Sequence, residues 1–331
     1  MSKTSTIRDI ARELGVCAAT VSNALNNRTD KVSASLADTI RRKADELGYV
    51  KDLTAASLSG FKSHLVDLII AGNFVPTTRD DTWDINPFYG ELIFRLEHEA
   101  RQRGHSLSVY TGRESECVTP PAARRSDAIV ALGITNEESL ARLRRRTGKV
   151  IVMDSYLESR EAVVVRTNEE KGAALATEHL IKRGCKRLAF VGHGIKEFPL
   201  NIPAIRYRGA KKVADAAGIP LTAIEEWTHL AGGKRAAPKV RELKADGVVT
   251  SADILAAGLI EGLKVDGVRI PDDVAVTGYD NLSVARMVTP ALTTVDQELD
   301  NKVRAICELI TEGQPGDVRV VEPRLVVRES A

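Results

Sequence analysis

Residues Thr6 to Asn26, TIRDIARELGVCAATVSNALN, read as two short helices around a tight turn. Thr6 can cap the first helix, and Asp9, three residues on, can close a capping box while placing negative charge at the positive end of the helix dipole. Ile7, Ile10, Ala11 and Leu14 recur at helical spacing, and Gly15 offers the left-handed conformation that ends such a helix. The spacing predicts a second helix over Ala18 to Leu25, burying Val21 and Leu25 and leaving Ala18, Ala19, Thr20, Ser22, Asn23 and Asn26 outside. That outer face is small, polar and uncharged. Two short helices about a Gly turn make a helix-turn-helix, whose second helix fits the major groove. A pair of core helices in an ordinary helical domain gives the same pattern up to this point.

The next residues complete a three-helix unit. Ser33 can cap a helix over Ala34 to Leu47, with Leu36, Ile40, Ala44 and Leu47 facing the pair and Gly48 ending it. Then comes YVKDLTAASLSGFKS, a weak helix or a linker with one prominent apolar residue, Leu58, ahead of a strongly apolar strand, LVDLIIAG.

From Leu65 onward apolar runs alternate with helical patterns: LVDLIIAG, a helix around Phe88 to Arg103, LSVYTG, DAIVALG, a helix at Glu137 to Arg146, and KVIVMD. After Val163 the rhythm repeats, with helices at Asn168 to Arg183, Ala204 to Ala217 and Asp253 to Leu263 between RLAFVG, DGVVTS and VAVTGYD. This is βαβ alternation, which implies parallel sheets covered on both faces. A chain of 331 residues is too long for one compact core and suits a small headpiece plus one or two ordinary domains.

No apolar run approaches the ~20 residues that cross a bilayer, and MSKTSTIRDI lacks the apolar core of a secretory signal, so a cytoplasmic protein without a membrane partner is expected. Cys17, Cys117, Cys185 and Cys307 form no CxxC pair and suit reduced thiols better than a disulfide framework or a zinc site. Cys17 stands where the second helix wants a Ser or Thr cap, as a tolerated small residue or as a redox-sensing thiol. Residues 1 to 62 carry a net charge of +3 against −1 for the rest. Phosphate contacts would therefore come largely from backbone amides, hydroxyls and a few placed cations such as Lys3, Arg8 and Lys31.

Enzyme motifs are poor. GHG at Gly192 to Gly194 lacks the later Gly of a dinucleotide loop, there is no GxSxG or Walker A, and the six His show no HExxH or HxxxH spacing. No enzymatic activity, no cofactor and no metal are expected.

The order T-I-x-D-I-A-x-x-x-G-V, T-V-S-x-x-L-N, V-S, L-G-Y-V and A-x-x-L resembles the headpiece and hinge of the lac repressor/galactose repressor (LacI/GalR) family of bacterial transcription regulators. The resemblance extends along essentially the whole chain. It implies an α/β protein with an all-α helix-turn-helix headpiece (1–50), a hinge segment (51–63) and a two-subdomain, periplasmic-binding-protein-like effector domain (64–331) of two parallel sheets flanked by helices. The first subdomain would take about 64–164 and 294–321, and the second about 165–293 and 322–331. An effector would lie between them, beyond the carboxyl ends of the strands.

On that resemblance the DNA-facing candidates are Thr6, Ile7, Arg8, Cys17, Ala18, Ala19, Thr20, Ser22, Asn23, Asn26, Lys31, Ser33, Tyr49, Ala55 and Leu58. Ala18, Ala19 and Asn23 match base-reading positions, and Leu58 matches a leucine that wedges into the minor groove. The effector candidates are Phe88 and Tyr89 in the N-P-F-Y turn, Asp154 ending VIVMD, Arg206, Trp227 at the rim, Asp253, and Asp280 in VTGYDN. Phe88 serves equally as a core anchor of its helix, and Arg206 as half of an interdomain salt bridge with an acid. A carboxylate accepting paired hydroxyls and an Arg fork would orient a polyol, so a sugar stands ahead of a nucleobase or nucleoside. The chain departs from the family where Lys51-Asp52-Leu53 replaces Pro-Asn-Arg, Ala252-Asp253 replaces Asn-Asp, and Thr167 replaces an Asp.

The expected partners are double-stranded, pseudo-palindromic operator DNA, a small-molecule effector and a second copy of the chain. The end PRLVVRESA has no leucine heptad tail, so a homodimer rather than a tetramer is expected, held at the nucleoid when operator-bound. The competing class is a sugar- or nucleoside-binding protein without a DNA function.

Overall fold

The computed structural model describes residues 5–25, 28, 30–49, 63–72, 86–119, 126–157 and 159–331. Lys3, Asn26, Ala55, Leu58 and nearly all of the expected hinge lie outside the described residues. The chain divides into two units, Met1–Ser63 and His64–Ala331.

In the first unit, α1 (Ile7–Leu14), α2 (Ala18–Leu25) and α3 (Ala34–Glu46) enclose a small core of Ile10, Ala11, Val21, Ala24, Val32, Ala37, Ile40 and Ala44. The capping box at α1 is complete. The Asp9 N–H donates to Thr6 Oγ1 at 3.3 Å, and the Thr6 N–H donates to Asp9 Oδ2 at 2.9 Å. Gly15 closes the helix at φ 66°, a left-handed angle that its missing Cβ makes inexpensive. Three details differ from the sequence reading. Ala24, not Leu25, joins Val21 inside α2, because a small side chain at i+3 lets α2 approach its neighbours while Leu25 packs from the rim. Ala37 likewise enters the core of α3, with Leu36 and Leu47 half-buried around it. Ser33 occupies the N-cap of α3 but makes no side-chain cap bond; its hydroxyl lies 3.5 Å from that of Ser35.

The second unit holds two six-stranded sheets. The first takes β1 (Leu65–Ala71), β2 (Ser106–Gly112), β3 (Ala128–Leu132), β4 (Val150–Met153), β5 (Val163–Thr167) and β11 (Val318–Val321), in the order β11-β5-β4-β3-β1-β2. All of its pairings are parallel. The second takes β6 (Leu188–Gly192), β7 (Leu221–Glu225), β8 (Gly247–Thr250), β9 (Ala275–Asp280), β10 (Thr293–Asp296) and β12 (Arg324–Val326), in the order β12-β10-β9-β8-β6-β7. Only β12 runs antiparallel to its neighbour, at the edge. The central strands are buried from end to end, which is why they read as unbroken apolar runs.

Helices cover the sheets. The longer ones are α4 (Pro87–Gln102), α5 (Glu137–Arg146), α6 (Glu169–Lys182), α7 (Ile202–Ala216), α8 (Leu230–Glu242), α9 (Asp253–Val265) and α10 (Leu299–Glu312). The divisions expected at 164 and 293 fall inside strands. β5 pairs with β4 through Val165 and with β11 through Thr167, and β10 pairs with β9 of the second sheet through Asp296. The chain returns to the second sheet between β11 and β12.

Within the second subdomain α8 and α9 pack backbone to backbone at Gly233 and Gly258. A Cβ on Gly258 would overlap the Leu230 carbonyl oxygen, and one on Gly233 that of Leu255. Gly258→Ala therefore has to push the helices apart and should lower unfolding stability by about 1–3 kcal/mol, as overpacked sites do. Urea denaturation checks it, and a midpoint equal to wild type would show that the helices can separate without cost.

Candidate functional site

Strand ends of both sheets converge on one buried polar chain. Lys302, on α10, is 0% exposed and donates to Asp154 Oδ1 at 2.8 Å, to Asp154 Oδ2 at 2.9 Å and to Gln297 Oε1 at 2.6 Å. Gln297, in the crossover between β10 and α10, donates through Nε2 to Asp280 Oδ1 at 2.8 Å. Asp280 also accepts from Arg206 Nη1 at 3.4 Å, and Arg206 Nε donates to Glu169 Oε2 at 2.6 Å. The Arg206 guanidinium lies 3.5 Å over the Tyr279 ring, a cation-π contact, and Nη1 donates to the Ser251 carbonyl. The hydroxyls of Thr167 and Ser251 stand in the same buried region with no protein partner.

The local sequence explains the placement. Asp154 follows the last residue of β4 and Asp280 is the last residue of β9. Each adopts a left-handed angle, φ 50° and φ 113°, and Asn281 and Glu298 do so too at φ 55°. Side chains other than Gly rarely hold such angles unless their surroundings enforce them, and these four gather where the strands end. Asn281 is held by its bond to Asp296 at 3.0 Å and by Arg328 at 2.6 Å. Gly172 on α6 leaves the space that the Tyr279 hydroxyl occupies, since a Cβ there would overlap it.

Charge and burial act on these groups together. Burial pushes the Asp280 carboxyl up to about 7, against the pull of Arg206. Burial also raises Asp154, against the Lys302 ammonium. For Arg206 burial opposes the charge, but the carboxylates of Glu169 and Asp280 outweigh it and hold the guanidinium protonated. A second contact joins the subdomains: the Ser283 N–H donates to Glu91 Oε1 at 2.8 Å, and Leu282 packs into the core of the first.

The candidates from sequence separate into groups. Asp154, Arg206 and Asp280 are brought together. Tyr89 is half-buried against the first core, near enough that the Asp280 charge helps burial raise its hydroxyl. Phe88 is a core anchor, packed with Leu92 and Leu96. Trp227, 43% exposed, stacks on His193 with ring centroids 3.4 Å apart. Asp253 is wholly buried, accepting from the Leu282 N–H and the Thr294 hydroxyl, so both carboxylate oxygens are engaged within the second subdomain. Arg206 is buried between acids of its own subdomain. Sequence reasoning missed Lys302, Gln297 and Glu169. The signal for Lys302 was a lysine three residues after Leu299 and four before Ile306, on the buried face of its helix.

In the headpiece, Thr6, Arg8, Cys17, Ala18, Ala19, Lys31 and Ser33 are exposed, and Thr20, Ser22 and Asn23 partly so. Ile7 and Tyr49 differ, packing against the headpiece core. Cys17 lies 3.1 Å from the Thr20 hydroxyl, whose hydrogen bond lowers the thiol below its ordinary range.

Residues 6–52 match the family model "Bacterial regulatory proteins, lacI family", and residues 177–331 match "Periplasmic binding protein-like domain". The HTH-type transcriptional regulator DegA of Bacillus subtilis is 27% identical over 348 residues, covering 98% of both chains. The ribose operon repressor of Escherichia coli K12 is 27% identical over 308 residues, covering 89% of both. The lac repressor dimer bound to operator and an anti-inducer has a similar fold, with TM-score 0.78 at 18% identity and 99% of each chain covered.

Two tests address the buried chain. Arg206→Ala strands two buried carboxylates and should cost about 3–5 kcal/mol of stability, the usual loss when one partner of a buried ion pair is removed; a change under about 1 kcal/mol in denaturant unfolding would contradict the geometry. The raised Asp280 carboxyl makes the native state hold a proton that the unfolded chain releases near pH 4, so stability falls as pH rises from about 4 to about 7. Asp280→Asn should flatten that fall, read as unfolding midpoint against pH, and an unchanged slope would place the titration elsewhere.

Proposed function

We infer that this chain belongs to the lacI family of bacterial regulatory proteins and that it is a transcriptional repressor. Its headpiece binds a pseudo-palindromic operator as a homodimer, two headpieces on two half-sites, and a small molecule between the subdomains sets the affinity. The observation that carries the reading is the capped α1–Gly15–α2 unit, whose outer face offers Ala18, Ala19 and Asn23 without a competing charge. The two Ala contact thymine methyls and Asn23 pairs with adenine through its amide. Catalysis has no part in this reading, since the paired carboxylates are engaged by Arg206 and Lys302. The protein works in the cytoplasm, at the nucleoid when operator-bound.

For the effector we propose a sugar, which the ribose operon repressor's name supports. Its hydroxyls would compete for Asp154, Asp280 and Gln297, with the hydroxyls of Thr167 and Ser251 to spare. Tyr89 and Trp227 offer aromatic faces to the ring. A ligand that binds one degree of closure better than another shifts the population that fits DNA, and coupling of about 1–3 kcal/mol is enough.

Selection of binding sites from random DNA, followed by operator titration with a panel of sugars, tests the reading; recovery of no twofold motif would end it. In the same selection Asn23→Ala should relax preference at one base pair per half-site, a loss of about 1–3 kcal/mol of discrimination, with nonspecific binding unchanged. An unaltered motif would remove Asn23 from base reading.

A further inference from the structure

His64, His105 and Asp127 stand immediately before β1, β2 and β3, three neighbouring strands of the first sheet. The ligand-capable atoms of the two imidazoles and the carboxylate all lie within 4.8 Å of one another. The backbone fixes them there. His64 holds a left-handed angle, φ 54°, its N–H donates to Asp127 Oδ2 at 2.9 Å, and its carbonyl accepts the Ser106 N–H at 2.7 Å. The Asp127 N–H donates to the Leu65 carbonyl at 2.8 Å. The two imidazole rings sit 5.9 Å apart, centroid to centroid.

We propose that these three side chains bind one divalent late first-row cation of the Zn²⁺ type. Two imidazole nitrogens and one carboxylate oxygen are the donor set such ions prefer, with a water completing the shell. A cation about 2.0–2.2 Å from each donor needs donors nearer to one another than 4.8 Å, a contraction that rotation of exposed or half-buried side chains supplies. Hard cations such as Mg²⁺ are poor candidates because they demand oxygen ligands. Asp127 is already anchored beside the rings, since its Oδ2 accepts from the His64 amide at 2.9 Å. No local spacing in the sequence reveals the site, because its members come from three different strand starts. The cation would tie those starts together where the chain enters the first sheet.

The tag-free full chain, stripped with chelator, is titrated with ZnCl₂ by calorimetry. One Zn²⁺ per chain is expected, with affinity falling at least about tenfold in His105→Ala and in Asp127→Asn. His64→Asn, which tolerates the left-handed backbone but loses the imidazole, should fall likewise, and its far-ultraviolet circular dichroism shows whether the fold is kept. His98→Ala and His179→Ala should bind as wild type. No stoichiometric uptake by wild type at micromolar Zn²⁺, or equal uptake by His105→Ala, overturns the assignment.

Discussion

The amide of Gln297 links the two buried sets of charges in the two-sheet unit. On one side Lys302 pairs with Asp154 within the first subdomain; on the other Arg206 pairs with Glu169 and Asp280 within the second. Each buried ion costs several kcal/mol unless paired, so neither group could be left exposed to the apolar interior by a motion that split it. The arrangement avoids that. What spans the two sets is a neutral side chain, accepting from Lys302 and donating to Asp280. Opening there breaks two hydrogen bonds to charged groups, each worth about 1.5–3 kcal/mol net, and leaves every ion with a partner. Water or ligand hydroxyls can take up the freed positions.

Backbone strain is concentrated at the same place. Asp154, Asp280, Asn281 and Glu298 hold left-handed angles, and each such residue costs about 1–3 kcal/mol. The ladders of β4 and β9 and the bonds of Asn281 to Asp296 and Arg328 overdetermine these turns. The strain sends the two carboxylates off the strand ends toward Gln297 and Lys302 rather than along the sheet. The Gly172 gap at the Tyr279 hydroxyl serves that arrangement too, leaving room for the ring that Arg206 lies over.

Local chemistry made the headpiece legible. Thr6, Asp9 and Gly15 act within one turn of themselves, and their capping geometry is the one their residue types imply. The same holds for the parallel strands, whose unbroken apolar runs follow from burial on both faces. What was not legible was contact between residues far apart in the chain. Lys302 and Asp154 are 148 positions apart, and nothing near either names the other. The partners of Asp253 were hidden for the same reason: Thr294 and the Leu282 amide, which hold its two carboxylate oxygens, lie far along the chain. Leu25 and Ala24 show the short-range limit, because helical spacing fixes a face but not which of two adjacent residues a neighbouring helix will touch.

The size of that link also bears on how a ligand could act at a distance. A switch in operator affinity needs about 1–3 kcal/mol of coupling, far less than the several kcal/mol held in either ion cluster. Had Lys302 paired directly with Asp280 across the sheets, opening would have stranded both charges, and a small ligand would have had to supply that whole cost through its own contacts. With Gln297 between them, parting at this link would cost hydrogen bonds rather than ion pairs, and ligand hydroxyl groups can replace hydrogen bonds. With the ion pairs intact inside each subdomain, a change at the amide would shift one sheet against the other without breaking either set.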